Sequence, residues 1–285
     1  VETNNLIIVS GMSGAGRSSV ADVLEDLGWF VVDNLPPMFL APMVEQTIGS
    51  GTTRLAVVVD VRTGPFFESL EPALVELREH GYRPVTLFLE ASDDVIVRRQ
   101  ESVRRPHPLQ GEGRLLDGIQ REREMLRDLR AVADLVIDTS NLNVHQLSAK
   151  IVNAFGDTDN TELRATVVSF GFKYGIPVDA DVVADMRFVP NPYWQPDLRH
   201  LTGRDKPVAD YVLDNPLAQQ FLEDYSAVLE TLRVGYLNEG KRFVTVAIGC
   251  TGGQHRSVAM AEAIARRLRD KGSPTLVVHR DLGRE

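Results

Sequence analysis

Short apolar runs recur along the first half of the chain at Leu6 to Ser10, Trp29 to Val32, Leu55 to Val61, Val85 to Leu89 and Leu135 to Ile137. Nearly continuous apolar runs suit strands buried on both faces, and their alternation with helical periodicity is the pattern of a parallel sheet with crossover helices. The helices are expected at Arg17 to Leu27, Pro37 to Ile48, Pro65 to His80, Asp93 to Val103, Arg114 to Val132 and Asn143 to Ala154. Pro65 suits a first helical turn, and Asp93 and Asn143 suit N-caps.

The polar stretch Gly156 to Glu162 contains no hydrophobic residue and reads as a linker. This divides the chain into a first domain over 1–156, a linker over 157–163 and a smaller α/β domain over 164–285. In the second domain, strands are expected at Ala165 to Phe170, Phe243 to Ile248 and Thr275 to His279, with helices at Pro216 to Asn238 and Val258 to Lys271. Phe170 to Pro177 and Asp185 to Pro192 read as loops crowded with Gly, Pro, aromatics and isolated cations.

The chain has 285 residues, 43% hydrophobic and 25% charged, an ordinary globular composition with room for a sizeable core. It has no apolar stretch of about eighteen residues and no charged-then-apolar leader, so a cytoplasmic protein without a membrane segment is expected. A single cysteine, Cys250, rules out an intramolecular disulfide framework. The 6 histidines show no close pair at ligand spacing, so they add no metal signature. A net charge of −9 argues against a broad nucleic-acid footprint without excluding a local basic patch.

Chemistry concentrates first at Gly11-Met12-Ser13-Gly14-Ala15-Gly16-Arg17-Ser18, which joins the first strand to the first helix. A phosphate-binding loop needs glycines so that backbone N–H groups converge on phosphate oxygens, a cation for the β/γ-phosphates and a hydroxyl for Mg²⁺. Arg17 stands where such loops usually carry Lys, and its planar fork is wider than an ammonium, which counts against efficient hydrolysis. Asp60 closes the apolar run Val57-Val58-Val59, where a carboxylate either holds the Mg²⁺ shell with Ser18 or caps a turn. Arg62 and Thr63 extend that strand end toward a nucleotide.

Arg98, Arg99, Arg104, Arg105 and His107 form either a lid over phosphates or a solvated face paired with Asp93, Asp94 and Glu101. Asp33-Asn34-Leu35-Pro36-Pro37 is either an acceptor site or a turn.

The second domain carries Gly249-Cys250-Thr251-Gly252-Gly253-Gln254-His255-Arg256-Ser257, again between strand and helix. Three readings stay open: a phosphate-ligand cradle at a helix N-terminus, a structural turn with a buried thiol, or the nucleophile loop of a cysteine phosphatase. Against the last, Gly249 stands where those enzymes usually carry His.

Gly-x-Ser-Gly-Ala-Gly at 11–16, Asp33 to Pro37, Phe88-Leu89-Glu90-Ala91, Arg104 to Leu109, Ser169 to Lys173 and Gly249 to Ser257 together resemble the RapZ/YvcJ family nearly end to end. The resemblance implies a P-loop kinase-like N-terminal domain that binds ATP and GTP with weak hydrolysis. It further implies a C-terminal domain that senses an amino-sugar phosphate, glucosamine 6-phosphate, and in some members an RNase adapter that binds RNA. By position, the nucleotide would contact Gly11 to Ser18 and Asp60-Val61-Arg62-Thr63. The sugar phosphate would contact Lys173, Thr251, Gly252, His255 and Arg256, with Asn191, Cys250, Gly253 and Ser257 nearby. The closing segment His279 to Glu285 lacks the strongly basic tail of RNA-binding members.

The expectation is therefore a regulator that binds nucleotide with Mg²⁺ and a phosphorylated metabolite. A protein partner reads it, and a homo-oligomer is expected. The alternatives are an RNA-binding RNase adapter, a small-molecule kinase and a cysteine phosphatase.

Overall fold

In a computed structural model, the described residues are 6–60, 70–103, 106–156, 163–239 and 241–284. The chain divides into two compact units, Val1–Asn160 and Thr161–Glu285. Both are α/β with parallel sheets, as the alternating pattern requires.

In the first unit, strands β1 (Leu6–Gly11), β2 (Phe30–Val32), β3 (Leu55–Val58), β4 (Val85–Glu90) and β5 (Leu135–Asp138) form one sheet in the order β2-β3-β1-β4-β5. Every described pairing is parallel, for example Ile8 with Val57 on one side and with Thr86 on the other. β1 is buried over its whole length, which explains its unbroken apolar run. The helices are α1 (Arg17–Asp26), α2 (Leu40–Gly49), α3 (Leu70–Glu79), α4 (Asp93–Val103), α5 (Leu115–Met125), α6 (Arg127–Ala131) and α7 (Val144–Phe155). The sheet order reverses at β1, so the carboxyl end of β1 is a topological switch point, where open α/β sheets place ligands.

Several boundaries differ from expectation. Pro37–Phe39 forms a short 3₁₀ turn before α2 rather than its first α-turn. The expected helix over 114–132 is interrupted at Leu126, whose N–H still bonds Glu122 O and whose carbonyl still accepts Arg130 N–H, so the break is one residue wide. Asp93 is the first helical residue of α4, not its cap, and its carboxylate pairs with Arg123 at 2.6 Å. Pro65, proposed to begin α3, lies outside the described residues, as do Val61 and most of the expected linker.

The second unit holds β6 (Arg164–Gly171), β7 (Val182–Asp185), β8 (Phe243–Cys250) and β9 (Thr275–His279) in the order β7-β8-β6-β9, all parallel. Its helices are α8 (Lys206–Leu213), α9 (Pro216–Asn238) and α10 (Arg256–Asp270). Their core includes Val167, Met186, Val208, Val246, Met260 and Ile264. β7 and α8 were not anticipated. They are 4 and 8 residues long and sit among turn-forming residues, Pro177 and Asp179 before β7 and Gly203 and Pro207 at the start of α8, so their surroundings read as loop. Among the described residues, no helix is long and apolar enough to cross a membrane.

Candidate functional site

β1 delivers the chain to Gly11, which pairs with Leu89 of β4 so closely that a Cβ there would lie 2.2 Å from the Leu89 carbonyl oxygen. From this point the loop's oxygen ends are held from outside. Arg99 Nη1 donates to Gly14 O at 3.0 Å, and the Thr139 hydroxyl donates to Ala15 O at 2.9 Å. Arg99 is itself braced by bonds to Thr139, and burial lowers its pKa from the ordinary value while Asp138 opposes the shift. With those carbonyls occupied, the nitrogen ends turn inward. α1 begins at Arg17 with no side-chain cap, and among the described residues no protein acceptor takes the amide protons of Gly16, Arg17 or Ser18. Uncapped first-turn amides favour an anion.

A cavity of about 320 Å³ opens over them, lined by Gly14, Gly16, Arg17, Ser18, Ser19, Asp33, Val58, Asp60, Arg99 and Gln100. Thus Asp33, from the segment read as acceptor site or turn, faces the same space as the loop. Arg98 takes the other course foreseen for that helix and pairs with Asp94 at 2.9 Å on the exposed face of α4.

Arg17 is nearly buried and places Nη2 2.7 Å from Asp60 Oδ2. Its Nη1 is buried and has no hydrogen-bond partner. An unsatisfied buried guanidinium nitrogen is costly unless a ligand completes it. Asp60 and Ser18 were expected to hold Mg²⁺ together. Ser18 is exposed on the cavity, and Asp60 is ion-paired with Arg17 of this chain.

Ser13 departs from its expected place in the cradle. Its N–H donates to Glu122 Oε2 at 3.0 Å and its hydroxyl to Glu122 Oε1 at 2.7 Å, so its amide is not offered to a phosphate. Glu122, on α5, also accepts from His107 Nε2 at 3.0 Å, and both side chains are wholly buried. Leu109 N–H donates to His107 Nδ1 at 3.3 Å, which leaves the ring proton on Nε2, facing the carboxylate. His107 is therefore an internal anchor and not a solvent-facing lid cation. The other lid candidates, Arg104 and Arg105, and the nucleotide candidates Val61, Arg62 and Thr63 lie outside the described residues. Met12 and Ala15 are buried, and the Met12 N–H is taken by Leu89 O.

In the second unit, β8 ends at Cys250 and α10 starts at Arg256, with His255 as a cap that makes no side-chain bond to the helix. The thiol is sealed: Cys250 Sγ lies 3.1 Å from Ser257 Oγ and accepts Gly253 N–H at 3.3 Å, with the residue 3% exposed. Arg256 spends its fork on Arg187 O, Val189 O and Thr251 Oγ1, while its Nε is buried without a partner. His255 turns away toward Arg199 O at 3.3 Å, and burial holds its imidazole below the ordinary pKa. Lys173 sits beside the loop, its N–H donating to Thr251 O at 3.2 Å and its ammonium over the Tyr174 ring, while Asn191 caps the turn at Tyr193.

Among the described residues, the amides of Gly252, Gln254 and Arg256 have no protein acceptor. Of the nine residues expected around a sugar phosphate, Lys173, Thr251, Gly252, Gly253 and Arg256 meet at the carboxyl ends of β6 and β8. His255 faces another loop, and Cys250 and Ser257 face inward. Gly249 admits no side chain, since a Cβ would come within 2.5 Å of both Phe170 and Phe172.

Asp281, which no local pattern marked, is fully buried and accepts Gly171 N–H at 2.8 Å while pairing with Arg280 and Arg284. Gln254 reaches Asp281 O and Gly283 N–H, so the closing segment folds back to hold the loop.

Two parallel α/β units, each with a strand-to-helix loop that makes no side-chain cap and leaves amides open at the sheet's carboxyl edge, define a two-domain α/β protein. Residues 4–159 match the RapZ-like N-terminal domain and residues 163–283 the RapZ C-terminal domain. A nucleotide-binding protein of Streptomyces coelicolor is 60% identical over 282 residues, covering 98% of this chain and 94% of its own length. One from Thermobifida fusca is 58% identical over 283 residues, covering 98% and 96%. The chain belongs to the RapZ family, as its motifs indicated.

Among solved structures, the shikimate kinase of Acinetobacter baumannii in complex with shikimate is 18% identical with a TM-score of 0.39, covering 53% of this chain and 93% of that one. The tunicamycin resistance protein of Deinococcus radiodurans is 19% identical with a TM-score of 0.39, covering 52% and 94%.

Proposed function

We propose that the N-terminal unit binds a nucleoside triphosphate, ATP or GTP, and hydrolyses it slowly, and that the C-terminal unit binds a phosphorylated metabolite such as glucosamine 6-phosphate. A protein partner reads the two ligand states. The observation that carries the nucleotide half is Arg17, which lines the cavity with Gly14, Gly16 and Ser18 and keeps a buried Nη1 without a partner. Relatives named nucleotide-binding proteins support the same reading. Arg17→Ala is expected to weaken both ATP and GTP at least about tenfold in calorimetric titration. An unchanged affinity would move the nucleotide off this loop.

The metabolite half is supported by the open amides of Gly252, Gln254 and Arg256 with Lys173 alongside. Glucosamine 6-phosphate at a hundred times its Kd is expected to add about 2.7 kcal/mol to the stability of the unit that binds it. Glucosamine and inorganic phosphate should each add far less. Equal stabilisation by phosphate alone would reduce the site to a simple anion cradle. The sealed thiol counts against a cysteine phosphatase. Arg280 and Arg284 are already committed to Asp281, and the net charge is −9, so an RNA adapter ranks below a metabolite sensor.

A further inference from the structure

We infer that the nucleotide site takes its ligand free of metal, with Arg17 bridging Asp60 to the phosphates in the place a divalent cation would hold. The inference rests on the nucleotide reading above. A guanidinium presents two terminal nitrogens on one rigid plane, and here they have different fates: Nη2 is bound to Asp60 at 2.7 Å, and Nη1 is buried with no partner, on a side chain that lines the cavity. One plane can therefore hold the carboxylate and a phosphate oxygen at once.

A Lys ammonium at this position is a single point charge on a flexible stem, and it leaves the carboxylate when it turns to the phosphate. That carboxylate is then open to a metal ion. With Arg17 the carboxylate is never released, and a divalent ion beside Asp60 would share one anion with a fixed cation. Ser18, exposed at the same cavity, is left to donate its hydroxyl directly to a phosphate. The cation that offsets phosphate charge is thus part of the chain.

The test is to titrate ATP, and separately GTP, into the full chain by calorimetry, once with excess Mg²⁺ and once with excess EDTA. The two dissociation constants are expected to agree within about fivefold. Binding that EDTA weakens by more than this overturns the inference while leaving the nucleotide reading intact. No binding under either condition defeats the nucleotide reading and the inference with it.

Arg17→Lys is expected to make binding sensitive to EDTA. Asp60→Asn is expected to preserve or tighten binding in EDTA, because the guanidinium loses its carboxylate. A loss in Asp60→Asn confined to the Mg²⁺ titration would assign Asp60 to a metal and overturn the inference. The wild-type comparison needs no variant to fold.

Discussion

Glu122 satisfies three donors at once, the N–H and hydroxyl of Ser13 and the ring N–H of His107, in a place closed to water. Truncating it leaves buried donors with nothing to bond, and each such group costs about 1–3 kcal/mol. Glu122→Ala is therefore expected to lower the unfolding free energy by about 3 kcal/mol or more, read from the shift of the urea midpoint. Ser13→Ala removes only one donor and is expected to cost about 1 kcal/mol. In a double-mutant cycle the two should be strongly non-additive; additive losses would mean the contact carries no coupling. The glycines, Arg17, Ser18 and Asp60 were legible at this scale because a phosphate loop is a local spacing of residue types. Glu122 was not, because it lies 109 positions from the serine it holds and sits on a helix face like any other acidic residue.

α7 starts at a capping box in which Asn143 Oδ1 accepts Gln146 N–H at 2.9 Å and the Gln146 side chain accepts Asn143 N–H at 2.9 Å. Asn143 is exposed, so its substitution reports on the cap with little effect on packing. Asn143→Ala is expected to cost about 1 kcal/mol, and Asn143→Asp to keep most of it. A lower denaturant midpoint at unchanged slope checks this, and equal loss in both variants would exclude the cap as the cause. Asn143 was readable because a cap is specified within four residues. By contrast Asp93 looked like a cap and proved to be an ion-pair partner of Arg123, 30 positions away. Elements were readable where an apolar run stood clear of turn-forming residues, as in β1, and unreadable in β7 and α8, which sit among Pro, Gly and Asp.

At the scale of the whole molecule, stability just below neutral pH responds to two imidazoles of the second unit. Burial is the main cause holding His255 and His279 below the ordinary value of 6.5, with backbone carbonyls opposing it at His255 and Glu262 at His279. In the window between the depressed native values and 6.5, the unfolded chain binds more protons than the native one. Stability therefore rises with pH across that window and is lost as the pH falls below 6.5. The thermal midpoint of the second unit is expected to fall between about pH 7 and pH 5, and His279→Gln to flatten that fall. A variant with the wild-type slope would clear His279 of any part in it.

The alternation of apolar runs and helical stretches, the glycine spacing of both loops and the family motifs were determined by the sequence alone. Each is a local statement about backbone freedom and burial, encoded within a few turns of chain. The tertiary structure decided which side chains inside those loops remain available. It set Arg17 against Asp60, Ser13 against Glu122, and Arg256 against the carbonyls of Arg187 and Val189. It also turned His107 and His255 from expected ligand contacts into internal anchors. The physical reason is that a charged or hydrogen-bonding side chain carries no periodicity that names its partner. When partners lie tens of residues apart, only the folded sheet and its helices bring them within hydrogen-bond range, and burial then makes a missing partner costly.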